Sequence, residues 1–292
     1  MHSMSNQHLT RINDVLFHIH QDISQELSAK SLADFAAYSE QHFHRVFKQV
    51  VGESVHQYIR RTRMEYAANQ LMFASKTSIV DIAQRCGFQS VSSFNKAFKA
   101  SFGMPPSAWR QHDTQTSSKP YLSDPEIAAG YRHVAQTSLP TPHIKDVPER
   151  LVAYVRHTGY GRSIRNAWLI LKAWAQAEGR TFDEQLGLHH SNPAWVALDQ
   201  CRYVACLAID EPIKRRSVVC QLTIPEGLHA IFRLTGQYGE LLPQISQVLE
   251  QWLPQSGFKL RSTPAYVHYH DNHFLNEDER FDLDFYLPVS FF

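Results

Sequence analysis

The chain has 292 residues, 43% of them hydrophobic and 20% charged, which is ample for two packed domains. No apolar run approaches the length of a membrane span and no secretory leader is recognisable, so a cytoplasmic protein with no membrane partner is expected; Cys86, Cys201, Cys206 and Cys220 lack metal-type spacing and read as reduced core residues. The net charge of +1 hides an asymmetry: residues 1–112 carry 12 Lys and Arg against 8 Asp and Glu, a net +4, and the remainder 17 against 20, a net −3.

Between residues 31 and 110 one pattern is written twice. Leu32-Ala33 recurs as Ile82-Ala83, Phe43-His44-Arg45-Val46-Phe47-Lys48 as Phe94-Asn95-Lys96-Ala97-Phe98-Lys99, and Gly52 as Gly103. The offset is 50 before the turn and 51 after it, so the second copy carries one extra residue between its helices. Each copy predicts a short helix, a tight turn and a second helix with Phe at i and i+4 inward and a basic polar face outward. One such helix alone is ordinary amphipathic structure. Core packing constrains only inward positions, however, so duplication of the outward cations needs another cause. A basic helix presented after a turn suits the DNA major groove, and the candidate contacts are Gln41, His44, Arg45 and Lys48 in the first copy and Val91, Ser92, Asn95, Lys96 and Lys99 in the second.

The stretch Ile82–Lys99, closed by Gly103-Met104-Pro105-Pro106-Ser107-Ala108-Trp109-Arg110, resembles the signature of the AraC/XylS transcription regulators. The first copy is similar through Leu32-Ala33, Ser39 and Phe43–Lys48, so the resemblance covers about residues 8 to 112. It implies two helix-turn-helix subdomains joined by a long helix at about Val55 to Leu71, with residues 40 to 50 and 91 to 101 as recognition helices. Double-stranded DNA and RNA polymerase are the partners it implies, and activation the expected sense of regulation.

Residues 113–142, rich in Ser, Thr, Gln and Pro, read as a linker with at most short ordered pieces between a DNA-binding domain at 1–112 and a second domain at 143–292. That second part repeats itself too. Ala153, Arg156, Thr158 and Gly159 return 77 residues later as Ala230, Arg233, Thr235 and Gly236, and Gly161, Leu171, Trp174 and Gly179 return 78 later as Gly239, Leu249, Trp252 and Gly257. The fold expected is therefore multidomain: an all-α double helix-turn-helix domain, then an α+β domain of two βαββ repeats with pseudo-twofold symmetry, whose sheets meet at a groove.

In the last strand Phe281, Leu283, Phe285 and Leu287 alternate with Asp282, Asp284, Tyr286 and Pro288, so the two sets face opposite ways. The apolar set is expected on the helices, leaving Asp284 and Tyr286 on an open face beside Tyr266 and His268. An aromatic wall with an embedded carboxylate suits a lipophilic or aromatic cation; an ordinary solvated sheet face would show the same alternation. Residues 145 to 290, with Arg280–Val289 as closing motif, resemble the GyrI-like effector-binding domain of multidrug-sensing regulators. The resemblance implies a small-molecule effector held by Asp284, where the family usually has Glu, with Tyr286, Tyr266, His268, Trp195 and Tyr154 around it. It also implies an alternative, a small-molecule hydrolase with Asp284 as base.

His268-Tyr269-His270-Asp271-Asn272-His273 has metal-ligating residue types, but His268 and His270 are only two residues apart on one face and no Cys or Glu completes a site. His42 and His44 diverge on a helix. No phosphate loop, nucleophile elbow or Cys/His pair is present. No metal, cofactor or catalytic residue is therefore expected.

Overall fold

The computed structural model describes residues 6–74, 77–111, 119–213, 218–261 and 263–291, and the chain divides into two compact units. The first is helical: α1 (Asn6–Gln21), α2 (Ala29–Phe35), α3 (Glu40–Val51), α4 (Val55–Phe73), α5 (Ile79–Arg85), α6 (Val91–Phe102) and α7 (Pro106–Arg110). Side chains of Ser28, Ser39, Ser54, Ser78 and Ser90 accept from backbone N–H groups of the helices they precede, satisfying donors that have no partner inside a helix. Gly52 and Gly103 end α3 and α6 at φ 88° and 78°, a left-handed conformation that favours glycine.

The inward stripes are buried as expected. Phe43, Val46 and Phe47 pack with Leu32, Ala33 and the Ile12, Val15 and Ile19 face of α1. Phe94 and Phe98 are sealed in the second copy, where Trp109 lies 5.7 Å from Phe98 and 4.7 Å from Phe102 and donates its Nε1–H to the Ala68 carbonyl. The extra residue of the second copy lies in its turn. The first turn passes through Ala37 at φ 53°; the second uses Gly87 at φ 72°, against which the Arg63 guanidinium lies so closely that a side chain would displace it.

In the second unit a 3-10 turn (Pro120–Ser123) and α8 (Pro125–Val134) precede β1 (His143–Val147), β2 (Arg150–Thr158), α9 (Ile164–Ala177), β3 (Gln185–His189), β4 (Arg202–Ala208), β5 (Cys220–Ile224), β6 (Gly227–Gln237), α10 (Leu241–Gln247), β7 (Phe258–Leu260), β8 (Ala265–Asp271) and β9 (Arg280–Phe291). Of the expected linker, residues 113–118 lie outside the described residues, whereas the 120–134 segment packs on this unit through α8 and α10. The Gln247 side chain donates to the Val134 carbonyl at 3.0 Å.

The strands run β1-β6-β9-β8-β3-β4-β2-β5, with β7 on β9. Exchanging β1 with β5, β2 with β6, β3 with β8 and β4 with β9 reverses this order onto itself, which is the pseudo-twofold the repeats predict. Two features differ from expectation. Each βαββ repeat is preceded by a short extra strand that crosses to the far half, β1 onto β6 and β5 beside β2. The halves also share one continuous sheet, because β3 and β8 hydrogen-bond along Gln185–His189 and Ala265–Tyr269, so no groove separates two sheets. Both helices lie on one face: Trp168 of α9 meets Tyr269 edge-on at 5.7 Å, and Trp252, in the π-helical turn that continues α10, meets Phe232 at 5.1 Å. The four cysteines are buried thiols.

Candidate functional site

In the first unit, α3 and α6 present their polar faces outward. Gln41, Arg45, Lys48, Ser92, Asn95, Lys96 and Lys99 are exposed, while His44 and Val91 are half-buried. His44 lies 3.8 Å from Glu40 and stacks obliquely on His56 of α4, so it is more engaged within the protein than expected. Arg45 donates to His42 Nδ1 at 3.0 Å, a weak exposed contact that leaves the rest of its guanidinium fork open. Helix α4 adds basic groups that repeat comparison did not find, because α4 has no second copy. His56, Arg60 and Arg63 join Lys96 around a cavity of about 460 Å³ floored by Leu27, Ile59 and Phe88. Arg61 on the same helix is instead turned to Glu53 and Glu65, at 2.9 and 2.7 Å.

In the second unit the register places Tyr154, Cys206, Leu186, His268, Asp284 and Arg233 in one rung across β2, β4, β3, β8, β9 and β6, on the face away from α9 and α10. The neighbouring rung pairs Tyr266 with Tyr286, and their rings stack at 4.6 Å and 10°. His229 closes on both rings at 5.6 and 6.0 Å and donates from Nδ1 to the Gly227 carbonyl. Beside this aromatic cluster lies a charged row. His268 Nε2 is 3.2 Å from Glu184, His270 Nε2 is 2.9 Å from Asp284 Oδ2, and Arg233 reaches Asp284 Oδ1 at 3.4 Å and Asp282 at 2.6 Å. Arg150 lies 3.8 Å from Glu184 and 5.9 Å from the Tyr286 centroid. Burial holds the Tyr266 and Tyr286 hydroxyls above the usual phenol range and pushes the His268 imidazole below its usual value, so all three are neutral near pH 7.

A helix-turn-helix family model matches residues 32–112, and the model of the GyrI-like small molecule binding domain matches 140–290, half of the chain. The transcriptional activator AarP of Providencia stuartii is 35% identical over 117 residues, 40% of this chain and 85% of AarP. This chain is an AraC-family, DNA-binding transcription regulator with a GyrI-like small-molecule binding domain. Among other relatives, the multiple antibiotic resistance protein MarA of Escherichia coli is 32% identical over 117 residues, 40% of this chain and 91% of MarA. The right origin-binding protein of Escherichia coli is 35% identical over 100 residues, 34% of each chain, so the chain spans about a third of that relative. Among the described residues no helix of the regulator is long and apolar enough to cross a membrane.

Within the GyrI-like domain the structure brings together four of the expected effector residues, Asp284, Tyr286, Tyr266 and His268. It does not bring in the other two. Tyr154 stands on β2, three strands from β8 and so roughly 14 Å away, buried with Arg156 over its ring; Trp195 lies in the loop between β3 and β4. Two more expectations need correction. The aromatic wall is not open, since Tyr266 is 1% and Tyr286 8% exposed, because the rings stack on one another and on His229. Nor does Asp284 await a ligand for charge compensation, since Arg233 and His270 already flank it. Sequence reading missed Arg150, Glu184, His229 and Arg233 as groups of this face. The 77-residue offset linking Arg156 to Arg233 was the available signal for the last, because the repeat places both on the same face of equivalent strands.

Proposed function

We propose that this regulator is an activator that binds an asymmetric operator as a monomer, contacts RNA polymerase, and senses a lipophilic or aromatic cation through its GyrI-like domain. For the DNA half, support lies in two exposed recognition faces of different composition: Gln41, His44, Arg45 and Lys48 on α3 against Val91, Ser92, Asn95, Lys96 and Lys99 on α6. Unlike faces call for unlike half-sites. The sense of regulation follows AarP, a transcriptional activator. Arg45→Ala is expected to cost about 1–3 kcal/mol and to relax preference at one base pair, whereas Lys99→Ala weakens all sequences alike and lowers the salt dependence. Selection from a random DNA pool with each variant reads both effects. A symmetric palindrome bound only by a dimer contradicts the monomer reading.

The observation that carries the ligand half is the surplus of carboxylate around Asp284, one rung from the Tyr266–Tyr286 stack. Around it three carboxylates, Glu184, Asp282 and Asp284, outnumber two guanidiniums, Arg150 and Arg233, leaving a net charge of −1 when the histidines are neutral. A flat organic cation meets that surplus at the Asp284 rim, displacing Arg233 from the carboxylate. Asp284→Asn is expected to weaken cationic aromatic ligands by about 1.5–3 kcal/mol and to leave neutral analogues of the same shape unchanged. Calorimetry on matched pairs decides: equal losses for both mean that Asp284 shapes the site without pairing charge.

A further inference from the structure

The same face carries a second chemistry that needs no organic ligand. His268 and His270 project their Nε2 atoms from β8, and Asp284 brings Oδ2 from β9; one donor atom from each residue lies within 4.8 Å of the others. Two residues of separation on one strand do not make a metal site. The third donor comes from the neighbouring strand, because His268 and Asp284 are register partners and the β-bulge between Tyr269 and Asp271 swings His270 toward the same carboxylate. A tetrahedral ion with bonds near 2.0–2.1 Å holds its donors roughly 3.4 Å apart, so small side-chain rotations close the observed cluster around one ion. We propose that His268, His270 and Asp284 form a binding site for a divalent transition ion of the zinc class.

Donor chemistry selects the ion. Two imidazoles and one carboxylate suit zinc, nickel or cobalt, while magnesium and calcium call for oxygen cages. Three protein donors leave the fourth tetrahedral position to water. The ion takes the place of the hydrogen on His270 Nε2, which moves to Nδ1 of the same neutral ring, and the other carboxylate oxygen keeps its Arg233 partner, which fixes the orientation of the group. Glu184, 3.2 Å from His268, stands at the rim of the cluster. Adding two positive charges turns the net −1 of this face to +1, so the metal-loaded domain repels the organic cations that the metal-free face attracts.

The test is calorimetric titration of the full, untagged, chelator-treated chain with zinc chloride. The 17 histidines of the chain make weak background binding certain, so the readout is one saturable equivalent that specific variants remove. Wild type and His133→Gln, an exposed histidine elsewhere in the unit, are expected to bind that equivalent; His270→Gln and Asp284→Asn are expected to lose it, or to bind at least tenfold more weakly, with unchanged circular dichroism. Cobalt in place of zinc gives the visible absorption of a tetrahedral site in wild type and not in the two variants. Absence of the equivalent in wild type, or its persistence in both variants, overturns the proposal. Either result leaves the organic-cation reading to its own ligand titration.

Discussion

Lowering the pH from 7 to 5 is expected to cost the GyrI-like domain about 2–4 kcal/mol of stability, shared between His273 and His189. His273 is 5% exposed and boxed by Tyr238, Tyr269, Phe274 and Phe281, and its Nδ1 has no hydrogen-bond partner among the described residues. Burial, with the nearby His189 as a lesser cause, pushes its pKa down to about 3, against the opposing pull of Glu279, which is itself held by Arg162 at 2.6 Å. His189, its ring edge-on to Tyr160 and Tyr203, is pushed down to about 4 by burial. Both folded values lie below the unfolded value near 6.5. The unfolded chain therefore binds more protons between those limits, so stability is complete above pH 6.5 and falls with pH below it. Urea unfolding followed by tryptophan fluorescence reads the effect, since Trp168, Trp174, Trp195 and Trp252 of the five tryptophans lie in this domain. His273→Phe is expected to flatten about half of the slope. An equally steep profile in that variant would place the titration elsewhere.

Much of this architecture is legible in the chain because repeats expose the positions that packing fixes. The 50-residue offset located α2, α3, α5 and α6, and their starts are reinforced by serine caps whose preference is local. Two-residue alternation in β9 sorted Phe285 onto the helix side and Asp284 onto the other. What stayed hidden depends on partners far apart in sequence. The crossing of β1 to β6, the central β3–β8 pairing and the ion pairs of Asp284 with Arg233 all join segments whose local patterns say nothing of one another. The metal-type cluster was missed for the same reason: the spacing of His268 and His270 is poor on its own strand, and the completing donor is supplied by a neighbour 14 residues away across a bulge. Tyr154 lies away from the Asp284 cluster because a shared sheet face does not imply proximity when strands stand about 4.8 Å apart.

Glu250→Ala is expected to destabilise the GyrI-like domain by about 3–5 kcal/mol, because it strands a buried ammonium. Lys119 is 4% exposed; its Nζ donates to Glu250 at 2.5 Å and to Ser246 at 3.1 Å, and it lies 5.1 Å from the Tyr131 ring centroid. Tyr121 and Ser246 complete the network, the tyrosine donating to Ser246 and the serine to Glu250. Burial alone would lower the Lys119 pKa, but the hydrogen bond to Glu250 and the surrounding negative charge outweigh it, and the net direction is upward. A raised lysine value stabilises the fold below its unfolded pKa near 10.4 and is lost only as pH climbs past the folded one, so the pair is intact at every physiological pH. The pair fastens the chain to the domain at Lys119, ahead of α8 and β1, while α8 keeps its own packing on α10. The double change Lys119→Met with Glu250→Leu separates anchor from charge, since it removes both charges while keeping apolar volume. Near-wild-type stability of the double variant beside a collapsed single variant assigns the cost to the unpaired ammonium; equal losses in both assign it to the hydrogen-bonded anchor itself.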